Sequence, residues 1–247
     1  MIISSSHPRS ESLRIREKLI QGLKRGLTHQ AGLLAHGRGE AFDYLLGEKT
    51  QRFAYKAIEA AAAYLLLAKH PVVSINGNTS ALCGKELVQL AKLLNSKVEV
   101  NLFHYSKKRV MTIENYLAKF DPDVVLRSIK SPKKIFPNIA SKRKIMLQEG
   151  IGSADVVFIP LEDGDRTEVL IKSGKKVITV DLNPLSRTAQ KATVTIIDNI
   201  TRSIPLLIFH VKNMRSTEPE NKLKQIICNY QNNKILSAAS DMIRNKI

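Results

Sequence analysis

The chain has 247 residues, of which 43% are hydrophobic and 25% charged, and its 39 Lys and Arg residues against 22 Asp and Glu residues give a net charge of +17. These proportions are typical of a globular protein and exclude a disordered, collagen-like or fibrous chain. The two cysteines, Cys83 and Cys228, lie far apart in the sequence, so they provide neither a zinc-binding pair nor a disulfide framework, and they indicate a reducing compartment.

No segment of the sequence is typical of a membrane protein or of a secreted precursor. The longest uncharged apolar run, 60–68, is about half of the roughly 18 residues that a membrane helix needs. The N-terminus lacks the apolar stretch of a signal peptide. We therefore expect a soluble, cytoplasmic protein with no membrane partner.

The N-terminal third is predicted to be mainly helical. Apolar residues at helical spacing predict one helix over 12–27, and an Ala-rich, largely buried helix follows over 50–69. Between them lies a glycine-rich piece, 32–47, which contains the sequence His36-Gly37-Arg38-Gly39-Glu40 and which we expect to be a loop.

From residue 72 onward, short apolar strands alternate with helices. Strands are predicted over 72–75, 97–103, 123–126, 155–160, 176–182 and 193–198, and helices over 79–94, 107–120, 166–173 and 200–214. Such alternation is typical of βαβ units. It predicts an α/β fold: a Rossmann-like, mostly parallel sheet flanked by helices, with a helical N-terminal segment.

We expect residues 1–214 to form a single Rossmann-like domain that carries the functional site. Residues 215–247 have looser helical periodicity and a polar start. They are predicted to be a C-terminal helical extension, docked on this domain or on a neighbouring subunit.

The segment 127–144 contains seven basic residues and no acidic one. Its two prolines and weak periodicity predict a surface loop or insertion. A basic loop could contact the phosphates of a nucleic acid, but only Phe120 and Phe136 lie near it for base stacking. We therefore favour a solvated basic surface and do not expect a nucleic-acid partner. Deleting the segment is expected to spare an enzymatic activity and to abolish nucleic-acid binding.

Polar side chains follow the predicted strands, at the edge where open α/β sheets bind ligands. In chain order they are Asn76, Asn78, Asp163, Asp165, Arg166, Asp181, Asn183, Arg187, Thr188 and Asn199. An arginine such as Arg187 offers a planar fork to a phosphate, whereas Asp181 can accept from a ribose hydroxyl or an adenine amine. The plainer alternative for these residues is an ordinary turn and helix cap.

Other residues leave more alternatives open. Arg38, between two glycines, could reach a phosphate or lie on an exposed loop, and His36 could transfer protons or be purely structural. The close acidic pair Asp163 and Asp165, near Arg166, could position a metal-bound triphosphate, hold an amine, or form a salt bridge.

Known phosphate-binding and hydrolytic motifs are missing from the sequence. It contains no GxGxxG, HExxH or GxSxG motif. The stretch from Gly77 to Lys85 is not a P-loop, because its glycines are too widely spaced and Glu86 stands where a Ser or Thr would hold magnesium. No metal site made by protein ligands is predicted.

Six long stretches nevertheless resemble, in the same order, the archaeal phosphopantothenate synthetases, also called 4-phosphopantoate–β-alanine ligases. They are HPRSESLRIREKL (7–19), LLAHGRGEAFDYLLGEKT (33–50), SINGNTSAL (74–82), VEVNLF (98–103), ADVVFIPLEDGDRTEVL (154–170) and KKVITVDLNPLSRTAQKATVTIIDNITRSIPLL (175–207). The resemblance covers about 5–212, but it is poor over 127–148 and does not extend to the tail after about 215.

The resemblance implies a Rossmann-like homodimer that makes coenzyme A precursors. In the reaction that this implies, the carboxylate of 4-phosphopantoate attacks the α-phosphate of ATP, diphosphate leaves and an acyl-adenylate forms. The amine of β-alanine then displaces AMP to give 4′-phosphopantothenate. ATP is a co-substrate, with Mg²⁺ carried by the nucleotide. The family's ATP contacts map onto Arg16, Arg38, Asp181, Leu182, Asn183, Arg187, Thr188, Asn199 and Ile200.

We further expect six residues to handle phosphopantoate, β-alanine or the developing charge: His36, Asn76, Asn78, Asp163, Asp165 and Arg166. Two functions of other classes remain as alternatives. One is a non-catalytic nucleic-acid-binding α/β protein, and the other is a pantoate-type kinase that would release ADP instead of AMP.

Overall fold

The computed structural model describes residue 4 and residues 6–136 and 142–245. The helices are α1 (Ser10–Lys24), α2 (Gln30–Leu46), α3 (Arg52–Leu67), α4 (Gly77–Leu93), α5 (Lys107–Leu117), α6 (Gly164–Lys172), α7 (Arg187–Lys191), α8 (Ile200–Thr217), α9 (Glu220–Asn229) and α10 (Asn232–Arg244). The strands are β1 (Pro71–Ile75), β2 (Lys97–Val100), β3 (Lys133–Ile135), β4 (Ile145–Leu147), β5 (Val156–Phe158), β6 (Lys176–Val180) and β7 (Val194–Ile196). Among the described residues, no helix is both long and apolar enough to cross a lipid bilayer.

Five strands form a parallel sheet in the order β2-β1-β5-β6-β7. Val73 pairs with Val98 on one side and Phe158 on the other, and Ile178 pairs with Phe158 and Val194. All residues of β1, β5 and β7 are buried. Helices cover both faces of the sheet, which is why its strands read as continuous apolar runs. The prediction of an α/β fold with a mostly parallel sheet flanked by helices is confirmed.

The strand predicted over 123–126 is wrong in extent. Only one bridge forms there, between Val98 and Val125. Val98 donates its N–H to the carbonyl of Val124 and accepts from the N–H of Leu126, so the pairing beyond β2 is two hydrogen bonds long.

The glycine-rich piece 32–47, predicted to be a loop, lies instead in helix α2. His29 caps the helix by accepting the N–H of Ala31, and Gly47 ends it in the left-handed conformation at φ 86°. Glycine weakens a helix locally, but Gly32 lets α2 lie against α4, because a Cβ there would collide with Oδ1 of Asn78. Tertiary packing therefore overrides the local preference.

Part of the basic segment 127–144 is a β-strand and not a loop. β3 pairs antiparallel with β4, and Lys134 lies opposite Met146. The residues between them, 137–141, lie outside the described part of the chain. The surface prediction is wrong for Phe136 and Arg143, which are buried.

The C-terminal helices dock on the same chain. Leu223 of α9 and Leu236 of α10 belong to the main hydrophobic core. Oδ1 of Asn232 accepts the N–H of Thr195 at 2.8 Å, so the tail also covers the outer edge of β7. The domain boundary at 214 stays a prediction, and α8 runs through that position.

Candidate active site

A pocket of about 540 Å³ opens at the carboxyl ends of the five parallel strands. Helix α2 forms one wall, and the turns that follow β1, β2, β5, β6 and β7 form most of the rest. Its volume is in the range of pockets that enclose small-molecule ligands.

Most of the residues proposed from the sequence line this pocket. They are His36, Arg38, Asn76, Asn78, Asp163, Asp181, Leu182, Asn183, Arg187, Thr188, Asn199 and Ile200. Arg16, Asp165 and Arg166 do not line it. The roles of all these residues stay predictions, but the expected gathering of cationic and amide side chains along one rim is present.

The turn after β6 is held by Asp181. Its Oδ1 accepts the N–H of Asn183 at 2.9 Å, and its Oδ2 accepts the hydroxyl proton of Ser186. Ser186 in turn caps α7 by accepting the N–H of Ala189 at 3.0 Å. Burial raises the pKa of Asp181, and the bonds from Ser186 and Asn183 oppose that rise. This network fixes the start of α7, with Arg187 and Thr188, at the pocket mouth.

Arg187 bridges two carboxylates of α6. It donates to Asp165 and, at 2.5 Å, to Glu168. Hydrogen bonds from Lys172 and Arg187 lower the pKa of Glu168 to about 2. Of the roles left open for Asp165, the structure contains the salt bridge. Both side chains are largely exposed, so the bridge contributes little stability.

Arg166 lies below the pocket floor with 1% of its side chain exposed. It donates to Oε2 of Glu162 at 2.5 Å and to the hydroxyl of Ser74 at 3.3 Å. Burial lowers its pKa to about 10. Arg166 therefore positions Glu162, a pocket residue that the sequence analysis missed.

Arg143 is a second missed residue, and it comes from the basic segment. It donates to Glu162 and, at 2.5 Å, to Oδ2 of Asp163, with 5% of its side chain exposed. Its guanidinium lies 5.6 Å from the ring centroid of Phe103. Burial lowers the pKa of Arg143 to about 10, and the charge of Arg166 adds to this effect. Nothing in the sequence distinguishes it from its basic neighbours.

A third missed group, His29, His104 and Arg109, lines the pocket wall near the turn that follows β2. The two imidazole rings stack with centroids 4.2 Å apart. Arg109 donates to the carbonyls of His104 at 2.8 Å and Leu27 at 2.9 Å. One signal was available: Arg109 is four residues before the buried Ile113, which places it on the flank of the buried face of α5.

Asn76 and Asn78 hold the pocket walls together. Asn76 caps α4 by accepting the N–H of Thr79 at 3.1 Å, and its amide donates to the carbonyl of Leu161 at 2.9 Å. The amide of Asn78 donates to the carbonyl of Gly32 at 2.8 Å. These contacts fix α2 and the turn after β5 against the start of α4.

A buried ionic network supports the turn after β7. The amide of Asn199 donates to Asp43 at 2.8 Å. Arg202 lies between two carboxylates, at 2.5 Å from Asp43 and 2.7 Å from Asp198. Burial raises the pKa of Asp198, and Arg202 and the hydroxyl of Thr50 oppose the rise. The network joins α2 and α8 beside the pocket.

Arg16 acts on the far side of α2. It donates to Glu40 at 2.9 Å, and the hydroxyl of Tyr44 donates to the same carboxylate at 2.8 Å. Glu40 and His36 also line a small adjoining cavity of about 20 Å³. Burial lowers the pKa of His36. Arg16 thus holds the helix that presents His36 and Arg38 to the main pocket.

The parallel sheet, with a polar pocket at the carboxyl ends of its strands, defines an α/β ligand-binding protein of the doubly wound class. The family model for phosphopantothenate/pantothenate synthetase matches residues 53–246. The 4-phosphopantoate–β-alanine ligase of Thermococcus kodakarensis is 50% identical over 245 residues, which cover 99% of this chain and 93% of the relative. The ligase of the same name from Methanosarcina mazei is 44% identical over 242 residues, covering 98% and 94% of the two chains. The chain belongs to the phosphopantothenate/pantothenate synthetase family, as the resemblance of its motifs indicates.

Proposed function

We propose that this protein is an ATP-dependent ligase that joins 4-phosphopantoate to β-alanine for coenzyme A biosynthesis. The observation that carries the proposal is its identity of 50% to a ligase of that name over 99% of the chain. The pocket supports it, because Arg38, Asn183 and Arg187 meet in one cleft instead of lying on separate faces.

The reaction brings together two molecules that repel each other. A carboxylate oxygen of phosphopantoate attacks the α-phosphorus of ATP, the bond to the β-phosphate oxygen breaks, and diphosphate leaves. The amine of β-alanine then attacks the acyl carbon and loses a proton, and AMP leaves. Cationic side chains are needed throughout to offset the negative charge of both reactants.

We assign the end of the pocket near β6 and β7 to ATP. Asp181 and Asn183 lie on the turn after β6, and Asn199 and Ile200 on the turn after β7. Arg38 faces them from α2, and Arg187 and Thr188 stand at the start of α7. Leu182 offers apolar contact beside them. Arg16 contributes from outside the pocket, through Glu40 and α2.

The acidic side of the pocket is assigned to β-alanine. Asp163 is about half exposed and lies beside Arg143, so a carboxylate faces the cavity where an ammonium group could pair with it. Replacing it in Asp163→Asn is expected to raise the KM for β-alanine and to leave adenylate formation intact. Unchanged β-alanine kinetics would remove this role.

Mg²⁺ is expected to arrive with the triphosphate. Within the described ranges, no group of three or more His, Cys, Asp or Glu side chains could hold a metal ion. We expect phosphate oxygens of the nucleotide to be its main ligands, and the ion would offset part of the triphosphate charge. We also expect a homodimer, on the resemblance to the family.

The nucleotide product tests the function directly. The pure protein is incubated with ATP, 4-phosphopantoate and β-alanine, and we expect AMP, diphosphate and 4′-phosphopantothenate. ADP would instead support the kinase alternative, and no nucleotide turnover would refute the ligase function. Arg38→Gln is expected to slow the reaction, whereas Arg25→Gln, at an exposed position outside the pocket, serves as the matched control.

A further inference from the structure

Arg109 differs from Arg143 and Arg187, two other arginines of the pocket, in having no acidic partner among the described residues. Arg143 and Arg187 each contact two carboxylates. Arg109 donates only to the backbone carbonyls of Leu27 and His104, and no carboxylate of the described residues lies within ion-pair distance of it. Its Nε is buried and has no hydrogen-bond partner among those residues. Because partial burial of a charge without a compensating partner is unfavourable, this half-buried guanidinium points to a site for an anion.

The guanidinium also stands at the start of a long helix. A Cβ on Gly77, the first residue of α4, would lie 2.9 Å from one of the terminal nitrogens of Arg109 and 2.5 Å from the carbonyl oxygen of Leu27. Glycine at this position therefore allows Arg109 to lie against the first turn of the helix. The positive end of the α4 dipole adds to the charge of the guanidinium.

Two histidines complete the positively polarised wall. Nδ1 of His29 accepts the N–H of Ala31, so the neutral ring carries its proton on Nε2 and can donate it to a ligand. His104 stacks on the same ring. Burial lowers the pKa of His29, and the neighbouring His104 and Arg109 lower it further. A bound anion would reverse the last two effects.

We propose that Arg109, His29 and His104 bind the phosphate group of phosphopantoate and so select it over unphosphorylated pantoate; this inference rests on the proposed function. The order of the strands in the sheet is the reason for assigning phosphopantoate, and not ATP, to this group. Arg109 and His104 follow β2 at one end of the sheet, whereas the residues assigned to ATP follow β6 and β7 at the other. A phosphate anchored at the first end leaves the carboxylate of the same molecule to point toward ATP. A phosphate dianion also matches several donors better than the single charge of the β-alanine carboxylate does.

Steady-state kinetics with each substrate varied in turn tests this subsite. In Arg109→Gln, the KM for phosphopantoate is expected to rise about 10- to 100-fold, the range for loss of a hydrogen bond to a charged group, while the KM values for ATP and β-alanine stay within about twofold. The preference for phosphopantoate over pantoate should fall by the same factor. Lys108→Gln, an equal loss of charge at an exposed position of the same helix, is expected to change none of these values.

Further variants separate binding from folding, because Arg109 also joins two backbone segments. His29→Asn keeps a capping acceptor for α2, and with His104→Gln it should raise the KM for phosphopantoate while the melting temperature stays near that of the parent. If Arg109→Gln fails to fold, the KM of this double variant for phosphopantoate tests the subsite instead. An unchanged KM for phosphopantoate in it would overturn the inference.

Titration with inorganic phosphate distinguishes this inference from the proposed function. By NMR of the histidine ring protons, phosphate is expected to raise the pKa of His29 in the parent protein and not in Arg109→Gln. A parent protein that shows this shift but makes no AMP would refute the ligase function and leave an anion subsite. A ligase whose Arg109→Gln variant loses affinity for β-alanine or ATP, and not for phosphopantoate, would refute the subsite alone.

Discussion

The network around Arg202 makes a strong prediction about stability. Arg202 is 16% exposed and lies between Asp43, 6% exposed, and Asp198, 1% exposed. In Arg202→Met, both carboxylates stay buried without their cation, and breaking a buried ion pair in this way typically costs about 3–5 kcal/mol. Asp43 retains the amide of Asn199, and Asp198 retains the hydroxyl of Thr50. We therefore expect a loss near the lower limit, about 3 kcal/mol.

Urea denaturation followed by circular dichroism measures this loss, at one fixed protein concentration because a dimer would make stability concentration-dependent. A loss of about 3 kcal/mol corresponds to a melting temperature lower by about 6–12 °C for a chain of this size. Lys224→Met breaks an exposed pair with Glu220 and is expected to change the unfolding free energy by less than about 0.5 kcal/mol.

The pH dependence of the same variant provides a second check. Burial already raises the pKa of Asp198 above its ordinary value, and losing Arg202 raises it further. At a pH between the ordinary pKa of Asp198 in the unfolded chain and its raised pKa in the native state, the native state binds more protons. The unfolding free energy therefore falls as the pH rises through this range. The deficit of Arg202→Met should thus be larger at pH 8 than at pH 5. A deficit below about 1 kcal/mol at pH 8, or one that grows on acidification, would refute this reasoning.

Three further outcomes are expected. Burial raises the pKa of Glu99 to about 7, against the opposing effects of two backbone N–H groups and Arg166. The unfolding free energy should therefore fall by about 3 kcal/mol between pH 4.5 and pH 7, and urea denaturation of Glu99→Gln should not show this fall with pH. Gly32→Ala should lower the melting temperature because its methyl group meets Asn78, whereas Gly37→Ala, in open space on the same helix, should leave it equal or higher; equal effects would contradict the packing of α2 on α4. Truncation after residue 217 uncovers core side chains and the edge of β7, so the shortened chain should be insoluble; a soluble product that melts at the parent temperature would contradict this.

Local patterns predicted the sheet well because its strands are buried on both faces. The apolar runs 72–75 and 177–180 are short, rich in β-branched residues and flanked by helical segments, which is typical of buried strands. The prediction of a loop around Gly37 and Gly39 was wrong, because a high glycine content indicates a loop only when no tertiary contact favours a helix. The packing of Gly32 on α4 is such a contact, and it joins residues far apart in the sequence.

The pocket residues that follow strands could be predicted because parallel strands end at one edge of the sheet. Asp181 and Asn199 are examples, and both line the pocket. Arg109 and Arg143 could not be found in this way, because neither directly follows a strand of the parallel sheet. The spacing from Ile113 was the one signal for Arg109, and only the packed structure shows that Arg143 turns inward. Asp165 illustrates the opposite case: it lies in α6 after β5, but its side chain forms an ion pair with Arg187 and does not line the pocket.

The inward position of Arg143, just before β4, has a practical consequence for separating enzymatic activity from nucleic-acid binding. Excising the cationic stretch would also remove Arg143, so lost turnover in such a deletion would not identify which property was destroyed. Neutralising the outward-facing Lys130, Lys133 and Lys144 with glutamine keeps the inward arginine and its two carboxylate contacts. We expect this triple variant to keep its enzymatic activity, so any loss of affinity for a polyanion in it can be measured separately from catalysis.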